Sequence, residues 1–178
     1  MTDKKTLFNS AGIGGLVLGG ISIAYFLIGI LISGAGAGTG LALLSGLLWI
    51  AKFAGCIMLM KFFMKKYSAA EPDADSSDVF RFGRLVALFS ALLFAAFLLA
   101  FSTYINPSYF EDAILTAAQN NPMFNGAMMD QLEQMLPKLP TITFFSQFIY
   151  CWLFGVVLSA IFARNIPSSN PFDNIDEQ

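Results

Sequence analysis

The stretch TLFNSAGIGGLVLGGISIAYFLIGILISGAGAGTGLALLSGLLWIA, residues 6–51, contains no acidic and no basic side chain. A helix crosses a bilayer in about 20 residues, so this run is too long for one span and long enough for two. It breaks at Ser33-Gly34-Ala35-Gly36-Ala37-Gly38-Thr39-Gly40, where dense glycine favours a turn over continued helix. Two spans are therefore predicted, 11–32 and 41–60, joined by a tight hairpin. Working outward, residues 85–110 are also free of charge and give a third span, 85–104. Residues 139–163 give a fourth, 142–163.

Composition points the same way. Of 178 residues, 56% are hydrophobic and only 12% charged, and mean hydropathy is +0.66. A soluble domain carries about twice that charge, and too few polar side chains remain to cover a globular surface. The first apolar stretch exceeds the roughly 7–15 residues of a signal peptide core, so it is read as a retained span although Ala35-Gly36-Ala37 resembles a cleavage site. The expected fold class is an all-α membrane protein. It is a four-transmembrane-helix bundle, with two short amphipathic helices in the loop between spans three and four, forming a single membrane domain over 1–178.

Lys and Arg accumulate on the cytoplasmic side of membrane proteins. With both termini cytoplasmic, Lys4, Lys5, Lys61, Lys65, Lys66, Arg81, Arg84 and Arg164 lie inside, Lys138 lies outside and Lys52 lies within the membrane. The opposite threading reverses that bias. Residues 67–78, YSAAEPDADSSD, read as a flexible cytoplasmic linker. The tail 165–178 has two prolines and no periodicity and reads as disordered.

The one sizeable external connection is 105–141. Ser108-Tyr109-Phe110-Glu111 fits a capping box. Phe110, Ile114, Ala117 and Ala118 then share a helical face. Asn121-Pro122 can open a second helix, with Pro at its first position. In that helix Phe124, Met128, Leu132 and Met135 recur opposite Asp130, Glu133 and Gln134, until Pro137 and Pro140 stop it. The two helices are expected to lie on the outer bilayer surface or to cap the bundle. The face of Phe124, Met128, Leu132 and Met135 is also a candidate partner surface, because Met-bearing faces adapt to a docked chain.

Helices in lipid gain no hydrophobic driving force by associating and must pack their backbones closely. Small residues recur at four-residue spacing in every span: Ala11, Gly15 and Gly19; Ala42 and Gly46, then Ala51 and Gly55; Gly83, Ala87, Ala91 and Ala95; Cys151, Gly155, Ser159 and Ala163. A compact bundle follows, with packing inside one chain preferred to homo-oligomerisation. Trp49 and Trp152 fall near mid-span and read as core residues.

Lys52 breaks the pattern. It precedes Lys61 by nine residues, roughly 13 Å deeper at the helical rise. A lysine at such depth costs about 2.5–3.5 kcal/mol on insertion scales. No Asp or Glu lies in any predicted span. The remaining partners are Ser22, Tyr25, Ser90, Ser159 or freed backbone carbonyls, with room left by Ala51, Ala54 and Gly55. Lys52 either meets an anionic ligand, lipid headgroup or partner carboxylate, or snorkels to the cytoplasmic interface.

Other chemistry is scarce. Histidine is absent, which removes the commonest general base and zinc ligand. Cys56 and Cys151 lie in apolar runs and read as small hydrophobes. Gly34 to Gly40 lacks the Lys-Ser/Thr of a phosphate loop. A net charge of −2 offers no basic field for nucleic acid. No enzyme, cofactor or metal is expected.

The layout resembles a family of small bacterial inner-membrane proteins catalogued as a domain of unknown function. The matching stretches are Tyr104-Ile105-Asn106-Pro107, MMDQLEQML at 128–136 before Pro137, GVVLSAIFA at 155–163, and Asn170-Pro171-Phe172. The resemblance implies four spans, a periplasmic helical insert, residence in the bacterial inner membrane and no catalytic residue. It further implies an accessory subunit, with polyprenyl-phosphate glycosyltransferases as the associated enzymes. The function expected is a non-enzymatic scaffold or accessory subunit of a membrane complex, in contact with membrane lipids and a protein partner. The alternative is a lipid or small-anion binding or carrier protein using Lys52.

Overall fold

The charge-free runs form the middles of long helices in the computed structural model, which describes residues 4–34, 39–71, 74–120 and 126–165. In chain order the helices are α1 (Lys4–Gly34), α2 (Thr39–Ala70), α3 (Ser76–Ala100), α4 (Tyr109–Gln119), α5 (Gly126–Met135) and α6 (Leu139–Asn165). The described residues include no strand. Four of the helices, α1, α2, α3 and α6, are long and apolar enough to cross a membrane. This is the all-α, four-span architecture expected.

The packing contacts set the helix directions. A Cβ on Gly15 would meet Phe89, Ser90 and Val86, and one on Gly19 would meet Leu93 and Ser90, so α1 runs parallel to α3. Gly83 faces Ser159 and Gly155 faces Ala87, so α6 runs antiparallel to α3. Gly83 also meets Met64, while Lys52 lies near Phe94, which makes α2 antiparallel to α3. The bundle is thus up-down-up-down. Lys4, the α2–α3 turn and Asn165 share one end, and the α3–α6 connection occupies the other.

α3 is the central helix. A Cβ added at Gly15 would collide with the Phe89 Cβ, and one added at Gly155 with the Ala87 Cβ. These glycines are therefore required for backbones to approach this closely. The small-residue stripes of spans one, three and four pack as expected. The stripe of span two does not at its described positions, the side chain of Ala42 lying outside them. Gly46 and Gly55 have nothing within 4 Å of an added Cβ, and Ala51 faces outward. The reason is that α1 and α6 already occupy the small-residue faces of α3. Trp49 is likewise on the surface, 57% exposed and stacked on Phe53, rather than in the core. Trp152 packs against the core as expected.

The predicted 67–78 linker is mostly helix. Met60, Met64 and Tyr67 continue an inward stripe beyond the membrane run, so α2 extends to Ala70. The Tyr67 ring stacks on Phe82 with centroids 4.4 Å apart. Ala74 is buried, and Asp75 caps α3 by accepting from the Asp78 N–H at 2.8 Å. The Ser76 hydroxyl donates to the Ala163 carbonyl at 3.0 Å, tying the start of α3 to the last turn of α6. Most of the tail, 166–178, lies outside the described residues.

In the connection from α3 to α6, the predicted capping box does not form. Ser108 already has helical backbone angles (φ −81°, ψ −11°), and its hydroxyl donates to Asn106 Oδ1 at 3.3 Å instead. α3 ends in a π-turn, Phe101–Ile105, where the Ser102 and Thr103 hydroxyls serve the Leu98 and Leu99 carbonyls. Phe26 packs edge-on against Phe97, Phe101 and Tyr109, so α1 anchors the entry to α4. Ala118 is buried, whereas Ala117 faces outward, so the predicted four-residue face is narrower than expected. The Asn121-Pro122 start lies outside the described residues. Pro140 does not stop a helix. It sits in the first turn of α6, where its missing N–H costs nothing.

The packing asymmetry predicts the outcome of adding a methyl group. Gly155→Ala and Gly15→Ala should each lose about 1–3 kcal/mol through overpacking. Gly46→Ala and Gly55→Ala should stay within about 0.5 kcal/mol of the parent. Unfolding in non-ionic detergent measures both pairs, and equal losses would overturn the packing order described.

Candidate functional site

Lys52 lies close to the midpoint of α2, and its side chain turns into the bundle. Its ammonium stands 4.8 Å from the centroid of the Tyr25 ring on α1 and 5.5 Å from that of Phe94 on α3. Aromatic faces carry negative partial charge and attract a cation, by about 0.5–1 kcal/mol each at a half-buried site such as this. The ammonium therefore faces rings of α1 and α3. Among the described residues, no hydrogen bond or ion pair is found at Lys52. Of the partners expected from sequence, Tyr25 meets the ammonium, through its ring face rather than its hydroxyl.

Lys52 also borders a cavity of about 170 Å³ between all four long helices. α1 contributes Leu18 and Ser22, α3 contributes Ala87 and Ser90, and α6 contributes Tyr150, Cys151, Phe154, Gly155 and Leu158. From α2 come Trp49, Lys52, Phe53, Cys56 and Met60. The lining is thus largely apolar, with hydroxyls, two free thiols and one cation. Trp49 and Tyr150 line the cavity and also face outward, Tyr150 being 66% exposed, so they mark a mouth between α2 and α6. Beside it the Phe53 and Phe154 rings meet at 5.2 Å.

Ser159, an expected partner of Lys52, lies elsewhere. It is fully buried, fills the space at Gly83 and donates to the Gly155 carbonyl at 2.7 Å. Ser22 and Ser90 do border the Lys52 cavity. Sequence reasoning missed Phe94 and the mouth residues. The signal for Phe94 was its place between Ala91 and Ala95, on the face of α3 that turns inward. No group of three His, Cys, Asp or Glu among the described residues could hold a metal ion.

The candidate partner surface is only partly visible. Phe124 and the side chain of Met128 lie outside the described residues. Leu132 is half-buried and Met135 faces outward.

The energetics of Lys52 give a direct test. Insertion costs about 2.5–3.5 kcal/mol, and two cation–π contacts at about 0.5–1 kcal/mol each offset part of it. Lys52→Met should therefore stabilise the ligand-free protein by about 1–2 kcal/mol in detergent unfolding. A loss of stability would mean that the ammonium makes a stronger contact than two aromatic faces.

No curated protein and no solved structure matches this chain. A family model described as "Protein of unknown function (DUF4199)" matches residues 14–164. The match runs from the first glycines of α1 to the last turn of α6 and bears out the resemblance to a four-span family of unknown function. The chain belongs to the DUF4199 family.

Proposed function

We propose that this protein is a non-enzymatic membrane protein that binds an anionic ligand, a lipid headgroup or a small anion, at Lys52. One observation carries the reading: an ammonium held within a cavity at mid-membrane depth, with no counter-ion among the described residues. A charge withdrawn from water is costly unless an opposite charge or hydrogen bonds compensate it. The aromatic faces soften that cost without neutralising the charge. Native mass spectrometry of the parent and Lys52→Ala should show a retained anion or lipid on the parent alone. Equal retention by both would sink the reading.

A second reading is favoured by the outer half of α2. Leu43 is 71% exposed, Leu47 and Ile50 also face outward, and Gly46 touches nothing. That surface suits an accessory subunit whose partner is another membrane protein, with polyprenyl-phosphate glycosyltransferases the class implied by the sequence resemblance. Crosslinking in gentle detergent tests it, and a chain always recovered alone counts against it.

In both readings the protein sits in a bacterial inner membrane with both termini and the α2–α3 turn cytoplasmic. Exposed Lys5, Lys61, Lys65, Lys66, Arg81, Arg84 and Arg164 all belong to that end of the bundle. A cysteine at position 130, in a background lacking Cys56 and Cys151, should react with an impermeant thiol reagent in intact cells with a permeable outer membrane. Labelling only after lysis would reverse the threading.

A further inference from the structure

We infer that the ligand of the Lys52 cavity is a single-chain amphiphile with a carboxylate head, a long-chain fatty acid, which enters sideways from the bilayer between α2 and α6. The inference rests on the anion-binding reading above and adds ligand class and route.

Charge selects the head. The cavity lining holds one ammonium and no second basic side chain. A carboxylate brings one negative charge and leaves the pair neutral. A phosphate monoester brings about −1.5 to −2 near neutral pH and would leave charge uncompensated in a low-dielectric site. A zwitterionic head would bring its own cation against Lys52. The hydroxyls of Ser22 and Ser90 border the same cavity and can donate to the carboxylate oxygens that Lys52 leaves.

The opening favours a single chain. The cavity of about 170 Å³ is reached at one mouth, between α2 and α6, where a carboxylate can enter with one chain behind it. The rest of the chain must leave through an apolar opening, and the mouth supplies one. Trp49, Phe53, Tyr150 and Phe154 border it, and Trp49 and Tyr150 face the bilayer. The adjoining surface of α2 is apolar at Leu47 and Ile50, so a tail emerging there meets side chains like its own.

The test uses the full chain, delipidated in non-ionic maltoside detergent. Binding of oleate, oleyl alcohol, oleyl phosphate and acetate is read by native mass spectrometry and by the unfolding midpoint. Oleate should bind one to one and raise the midpoint. Oleyl alcohol and acetate should bind at least tenfold more weakly, and Lys52→Met should lose oleate while keeping its helical circular dichroism. Acetate or oleyl phosphate binding as tightly as oleate would overturn the fatty-acid inference while leaving anion binding intact. No binding by any anion would overturn both. The route has its own readout in a Trp152→Phe background. A dibrominated stearate should quench Trp49 saturably, and Lys52→Met should abolish that quenching. Quenching that does not saturate, or that persists in Lys52→Met, would overturn entry through the mouth.

Discussion

The close approach of three backbones at the small-residue faces of α3 is the constraint on which the rest depends. In lipid an apolar side chain gains little by leaving one apolar neighbour for another, so association rests on how near the helices come. Gly15 and Gly19 bring α1 onto Phe89, Ser90 and Leu93. Gly155 brings α6 onto Ala87, and Ser159 fits against Gly83. The hydroxyl that makes Ser159 small enough to fit would be costly if orphaned in this core, and its bond to the Gly155 carbonyl removes that cost. The Ser76 bond to Ala163 closes the same pair of helices at the end of the bundle that carries the termini.

α2 is held by different means, and the cavity follows from that difference. Its inner half is fastened by Met60, Met64 and the Tyr67–Phe82 stack. Around its midpoint the contacts to other helices are ring to ring at Phe53 and Phe154, and cation to ring at Lys52. Rings and long side chains keep backbones apart where glycines would let them meet. The space left over is the cavity, and Lys52 stands in it because α2 is the helix that stops short of α3.

Much of the architecture was legible in residue types alone. Charge-free runs locate spans because a charge in hydrocarbon is costly wherever it occurs in sequence. The stripes of α1, α3 and α6 were legible for a similar reason, since glycine at four-residue spacing permits close packing. The stripe at Gly46, Ala51 and Gly55 shows the limit of that logic. It permits an approach that three other helices had already taken up, and no local pattern records that competition. The 67–78 linker misled because its Pro, Ala, Ser and acidic content was read as one stretch, hiding the inward register of Tyr67. Ser108 misled because a capping box requires non-helical angles at its first residue, whereas Ser108 lies in a turn closed by the Tyr109 N–H on the Asn106 carbonyl and is itself helical. The site was half legible. Lys52 stood out as a lone intramembrane charge and Tyr25 was among its expected partners, but Phe94 was not, because only the fold brings that face of α3 to Lys52.

A cation over two aromatic faces differs from a cation waiting in water. The rings fix the position of the ammonium and lower the cost of its burial, yet they leave its net charge in place. An anion arriving from the mouth can approach the side of the ammonium that the rings leave open, so the two kinds of contact add rather than compete. Anything that binds the folded form stabilises it by RT ln(1 + [L]/Kd). Here that stabilisation falls on α2, the helix with the fewest close backbone contacts. A ligand at Lys52 would therefore act on the docking of α2, and through it on the outward face that includes Leu43, Leu47 and Ile50. On the proposed readings, ligand binding and partner binding would be coupled through how firmly this one loosely packed helix sits against α3.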